Sequence, residues 1–210
     1  MTRSQNIVVI PGLIQDRVCD RLVFTEEGLT IEKPLNFNHK VFIGSQDIAA
    51  FRFGMKELRG VKFAFGRQYF IEIKNFSCEI TRIKLNSFYG IKSKEYYRIW
   101  AGLLQELWDF YLDDQLNYYT ELYNIQQIFD LAGVTFHPDG ISWDKNNKLP
   151  WDKIAIKSYR NYFMIHHEDK PMQYKCCVFS IDWNGVILQS LLKDIVKEQK
   201  RVPRSMRKGF

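Results

Sequence analysis

Four short segments recur in the same order in the two halves of the chain, and this repetition constrains the fold more than any other feature. Residues 24–30 (FTEEGLT) are matched by 136–142 (FHPDGIS). Each carries an aromatic, an acid before glycine, an aliphatic and a hydroxyl. The acid–glycine pair suits a hairpin turn, because glycine accepts positive φ without steric cost. Residues 67–71 (RQYFI) are matched by 160–164 (RNYFM), and 103–107 (LLQEL) by 191–195 (LLKDI). A weaker match sets Asp47, Ile48 and Ala49 against Asp152, Ile154 and Ala155. The kept order predicts a duplicated unit.

The hydrophobic pattern follows the same plan twice. In the first half, 22–24 and 29–31 read as a hairpin. Residues 41–43, 48–53, 62–65, 69–73 and 79–85 are rich in aromatic and β-branched residues and predict further strands. The period then changes. From about 93 to 111, Tyr96, Ile99, Trp100, Leu103, Leu107, Phe110 and Tyr111 recur at spacings of three and four, the stripe of an amphipathic helix. In the second half, 134–136 and 141–143 form the hairpin, and 153–157, 162–166 and 175–181 supply strands. Asn184 is positioned to cap a helix bearing Val186, Ile187, Leu191, Leu192 and Ile195. Between the halves, Leu116, Tyr119, Leu122, Tyr123, Gln126 and Phe129 keep helical spacing, with Gly133 as a cap. This stretch has no Pro-, Ser- or Gly-rich run and predicts one or two connecting helices, not a flexible linker.

The predicted fold is α+β and mainly β. Two antiparallel β-sandwich or barrel units, 1–112 and 134–199, are each closed by a C-terminal helix. A helical connector, 113–133, joins them, and 200–210 form a basic tail. An antiparallel β-rich unit closed by one amphipathic helix, with Trp100 and Trp108 on the first of them, resembles the pleckstrin-homology-like fold over most of the chain, in two copies. That resemblance implies a bent two-sheet sandwich with the helix plugging one end, used for binding and not catalysis. The turns Glu26-Glu27-Gly28 and Asp139-Gly140 are acidic, so the basic phosphoinositide loop of lipid-binding members has no counterpart there.

Composition excludes several classes. Of the 210 residues, 46% are hydrophobic and 26% charged, too apolar for a disordered chain. The most apolar runs, 7–13 and 178–181, fall far short of the roughly 20 residues of a membrane helix. Pro11 and Gly12 interrupt the first of them, unlike a signal peptide, so a cytoplasmic location is expected. Cys19, Cys78, Cys176 and Cys177 form no C-x-x-C pair. Adjacent Cys176 and Cys177 in a strand face opposite ways, so reduced, structural cysteines are expected.

No nucleotide-binding glycine loop, nucleophile elbow or H-E-x-x-H run occurs. His166, His167, Glu168 and Asp169, with His137 and Asp139, are the most ligand-like group, but Lys170-Pro171 marks a loop tip and a solvated turn. Glu26-Glu27 and Asp113-Asp114 read as turn and helix-start acids. Tyr96, Tyr97, Tyr118, Tyr119 and Tyr123 read as packing residues with hydroxyls reaching the surface, not as a base-stacking platform. No catalytic residue, metal site or cofactor is assigned.

The net charge of +6 lies almost wholly from Lys193 onward. The candidate partner-binding residues are therefore Lys197, Lys200, Arg201, Arg204, Arg207 and Lys208. The leading reading is a non-catalytic interaction or scaffold protein with a protein partner. Two rivals stand beside it. One is a membrane-surface or nucleic-acid adaptor that makes weak anionic contacts through the tail. The other is an enzyme with a site of unrecognised kind.

Overall fold

Gly28 and Gly140 hold equivalent places in two hairpins, and each sits too close to a neighbouring strand to carry a side chain. In the computed structural model, which describes residues 5–14, 19–33, 39–144 and 147–201, the chain divides into two units, Met1–Asp114 and Gln115–Phe210. Thr25 and Gly28 exchange backbone hydrogen bonds of 3.2 and 3.3 Å around Glu26 and Glu27. A Cβ on Gly28 would lie 2.2 Å from the Ile43 carbonyl oxygen, and one on Gly140 2.1 Å from that of Leu149.

The first unit opens with a four-stranded antiparallel sheet of β1 (Asn6–Pro11), β2 (Cys19–Phe24), β3 (Gly28–Lys33) and β4 (His39–Gly44), in that order. A 3-10 turn, Ser45–Asp47, leads to β5 (Ile48–Arg59), β6 (Ala64–Asn75) and β7 (Ile80–Phe88), a three-stranded antiparallel sheet. Helix α1 (Ser93–Leu107) follows and gives way to a π-helical turn, Trp108–Leu112. The helix packs against β1, β6 and β7. Its buried side chains are Tyr96, Trp100, Leu103 and Leu107. Trp100 donates its indole N–H to the Phe70 carbonyl at 3.1 Å. The Tyr111 hydroxyl reaches back to the Thr25 carbonyl at 3.0 Å, and burial raises its pKa to about 12.

The second unit has the same order of elements. Helix α2 (Asp113–Asn124), all but its first two residues in this unit, precedes a four-stranded antiparallel sheet. Its strands are β8 (Phe129–Leu131), β9 (Val134–His137), β10 (Gly140–Ser142) and β11 (Lys148–Pro150). A 3-10 turn, Trp151–Lys153, then leads to β12 (Ile154–Ser158), β13 (Tyr162–His167) and β14 (Tyr174–Val178), and α3 (Gly185–Arg201) ends the described chain. Among the described residues no ladder joins a four-stranded to a three-stranded sheet. Phe24, Leu29, Ile71 and Leu103 are fully buried in one unit, and Phe136, Ile141, Phe163 and Leu192 in the other.

Three expectations need correction. Residues 129–131 are a strand, not helix. The chain leaves the helix at Asn124, Gln126 takes φ 57°, and β8 turns into β9 through Ala132 (φ 51°) and Gly133 (φ 71°). Two successive positive φ angles make the type I′ geometry that suits the twist of a hairpin, so Gly133 is a turn residue and not a helix cap. The second unit therefore begins before residue 134. Residues 64–65 and 69–73 belong to one strand, β6, paired with a β5 that runs on to Arg59, while 62 and 63 lie in the bend between the two strands. Helix α3 continues through Arg201, into the segment expected as tail.

The repeat holds by element, and the registers show where residue matches drift. Ile48 pairs with Asn75 and Ile154 with His167, at the start of each second sheet. Counted back from there, Phe163 corresponds to Ile71, one residue from the sequence match. The helices start alike: Lys92 (φ 55°) and Asn184 (φ 58°) take left-handed backbone, and their carbonyls accept from Tyr96 and Leu188 at 2.8 and 3.0 Å. From that anchor Leu103 corresponds to Ile195, one turn beyond Leu191. The hairpin match keeps its register, with Phe24 opposite Leu29 and Phe136 opposite Ile141, and so does the weak match at Ile48 and Ile154, each opening a strand after a 3-10 turn.

Candidate interaction surfaces

Of the basic residues singled out in sequence, three fall on α3. Lys197 is exposed on α3, Lys200 and Arg201 extend that helix, and Arg204, Arg207 and Lys208 lie outside the described residues. The end of α3 is tied to its own unit, where Gln199 Nε2 donates to the Tyr123 hydroxyl at 3.2 Å. Tyr123 also packs edge-on against Trp151 at 5.3 Å. Tyr123 and Gln199 border a cavity of about 250 Å³ that also touches His137, Pro138 and Glu198. The His137 Nε2 lies 2.8 Å from the Ser142 hydroxyl.

The histidine–acid group forms a closed loop end. His167 Nδ1 accepts from the Asp169 N–H at 3.0 Å, and Asp169 meets Lys153 at 2.6 Å. Among the described residues no group of three or more His, Cys, Asp or Glu side chains is placed to hold a metal ion. Cys176 is exposed and Cys177 buried, as alternation requires, and burial pushes the Cys177 thiol up to about 12. Glu26 and Glu27 form a hairpin loop, and Asp113 and Asp114 the first turn of α2. Tyr96 is buried with its hydroxyl on the Pro11 carbonyl at 2.9 Å, while Tyr119 packs on Phe129.

Sequence patterning missed two features of the first unit. One is an ion triad across its three-stranded sheet. Arg52 on β5 and Arg82 on β7 donate to the two carboxylate oxygens of Glu72 on β6, at 2.7 and 2.9 Å. Its signal was faint, since Arg, Glu and Arg in successive strands meet only once the register is known. Burial raises the Glu72 pKa, but the hydrogen bonds and charges of Arg52 and Arg82 outweigh it, so the carboxyl lies below its ordinary value. The depressed value gives a sign. The triad stabilises fully above the ordinary glutamate range and is lost as pH falls through the lowered folded value. Glu72→Gln is expected to cost about 1.5–3 kcal/mol at neutral pH. Urea unfolding of both proteins should show that gap closing in acid.

The other missed feature is the length of β5 and β6, 12 residues each, where β12 and β13 have 5 and 6. The sheet pairing of β6 with β7 ends at Gly66, opposite Phe88. The segment beyond it closes through Gly60, whose N–H donates to the Phe63 carbonyl at 2.8 Å. At this end Val61 is 101% exposed, Phe63 62%, Tyr89 77% and Ile91 50%. Phe65 stacks on Phe88 at 6.1 Å, and Tyr89 donates its N–H to the Phe65 carbonyl at 2.7 Å. Elsewhere in the unit a cavity of about 230 Å³ has an apolar floor of Leu22, Ile31 and Ile83 beneath Asp20, Lys33 and Lys84.

No protein-family model matches the chain, and no curated protein is detectably similar to it. No helix among the described residues is long and apolar enough to cross a membrane.

Proposed function

We propose that the chain is a non-catalytic interaction protein built from two pleckstrin-homology-like units that arose by duplication. The observation that carries this reading is the element order. Each unit has four strands, a 3-10 turn, three strands and a helix, with a glycine-closed hairpin at the same place. The buried Trp100 on α1 supports the same analogy. The paired acids sit where they close turns and start helices, positions that serve structure before proton transfer. Affinity capture from native lysate with the full chain, followed by reconstitution from purified components, tests the proposal. The expected result is a stoichiometric protein complex. Turnover of a small molecule by the isolated chain, with no protein retained, would overturn it.

The adaptor reading rests on the charge of the C-terminal segment. Each neutralised phosphate adds about one unit to the salt slope, so a few contacts leave little affinity at physiological salt. Removing residues 202–210 is expected to abolish any weak, salt-sensitive attraction to oligonucleotides and leave the unfolding midpoint unchanged. The cut is placed after Arg201 because Gln199 holds Tyr123. Equal oligonucleotide binding by full-length and truncated chains would remove the segment from consideration.

A further inference from the structure

We infer that the β5–β6 extension of the first unit is a membrane-contact hairpin for anionic bilayers. The second unit shows that a short hairpin suffices to complete the three-stranded sheet, since β12 and β13 run only 5 and 6 residues. The extra length in β5 and β6 ends in the exposed Val61 and Phe63, which bury nothing comparable in the core. Tyr89 and Ile91, on the segment leaving β7, add exposed apolar surface at the same end, and the Tyr89 N–H is bonded to β6 at Phe65. The half-exposed Phe65–Phe88 stack stands beneath them. Aromatic and aliphatic side chains on a projecting tip favour the interface between headgroups and acyl chains.

Charge selects the occupant. Arg59 and Lys62 on the extension, and Arg67 and Lys56 directly behind it, are all exposed, with Lys56 also lying over the Phe70 ring at 4.9 Å, against the single acid Glu57, which is paired with Arg59 at 2.6 Å. An apolar tip with cations behind it complements a bilayer of anionic headgroups, where each lysine or arginine near the surface adds about fivefold in partition. A groove on another protein would need a matching acidic rim. A polynucleotide would use the cations but would leave Val61 without a contact. The inference needs only this extension and its tip, and stands apart from the fold analogy.

Co-sedimentation of the full chain tests it. The probes are phosphatidylcholine vesicles with and without roughly one third phosphatidylserine, at low and physiological salt. Wild-type protein should bind the anionic vesicles and not the neutral ones. The V61S/F63S double variant should lose roughly tenfold or more in partition, and Lys62→Gln about fivefold, with unchanged unfolding midpoints. Lys62→Gln, a single change at an exposed site, decides the matter if the double variant is unstable. Equal binding by wild type and both variants would overturn the inference and move the contact to the C-terminal segment. Absence of wild-type binding to anionic vesicles, or equal binding to neutral ones, would overturn it as well.

Discussion

Leu103→Ala is expected to lower the stability of the first unit by about 2–5 kcal/mol, and Leu191→Ala that of the second by a similar amount. Both side chains are fully enclosed, Leu103 at 0% and Leu191 at 1% exposure. Leu103 lies on the face of α1 that carries Trp100, whose indole is bonded to the backbone of β6. Truncation there removes apolar contact and leaves a hole in a place where the sheet backbone cannot close in. Leu191 sits among Ile187, Leu188, Leu192 and Ile195 on α3, all buried. Chemical denaturation of the full chain, followed by far-ultraviolet circular dichroism, reads both losses. Unchanged midpoints would mean that the helices do not complete the cores.

The parts of this fold that sequence made legible are those where one residue type answers one physical need. Gly28 and Gly140 declared their hairpins through the acid–glycine pair, and the structure adds a second need for glycine, a neighbouring strand carbonyl too close for a side chain. The switch from period two to spacings of three and four after residue 93 declared α1, since its buried residues Tyr96, Trp100, Leu103 and Leu107 lie on that stripe. What misled was spacing without length. Leu122, Tyr123, Gln126 and Phe129 keep a helical rhythm, yet Phe129 belongs to a three-residue strand, too short to show alternation. The hydrogen bond from Gln127 N–H to the Leu122 carbonyl ends the helix, and no side-chain pattern announces it.

The candidate surface hid for a related reason. Residues 54–61 and 66–68, outside the predicted strands, mix Gly54, Gly60 and Gly66 with Lys56, Glu57, Arg59 and Arg67, a composition without strand alternation. Backbone pairing holds these residues in strands through Leu58 opposite Gly66. The structure shows a paired extension whose tip residues, Val61 and Phe63, are exposed. The basic C-terminal segment was conspicuous in composition, but composition does not bring charges together. Lys197 is exposed on a helix, while the extension places Lys62 beside two exposed apolar residues.

The duplicated glycine is also the sharpest test of the hairpin geometry. Gly28→Ala and Gly140→Ala are each expected to destabilise by more than about 2 kcal/mol. In a unit of this size that lowers the unfolding temperature by roughly 10 °C or more. The nearest atoms in the way are backbone: the Ile43 oxygen at 2.2 Å and Gly44 Cα at 2.9 Å for one, joined by the Phe42 ring at 2.9 Å, and the Leu149 oxygen at 2.1 Å and Pro150 Cα at 2.8 Å for the other. A flexible side chain would swing aside. A strand in register must separate from its neighbour, and Gly28 pairs directly with Gly44 as Gly140 does with Pro150. Gly102→Ala supplies the control. Gly102 lies on the exposed side of α1 with nothing within 4 Å of its added methyl, so alanine there should stabilise by about 0.5–1 kcal/mol through helix propensity. Opposite signs at Gly28 and Gly102 follow from close strand approach at one and open solvent at the other. A loss below about 0.5 kcal/mol at both Gly28 and Gly140 would show that the strands give way, and that the glycines were not placed by this contact.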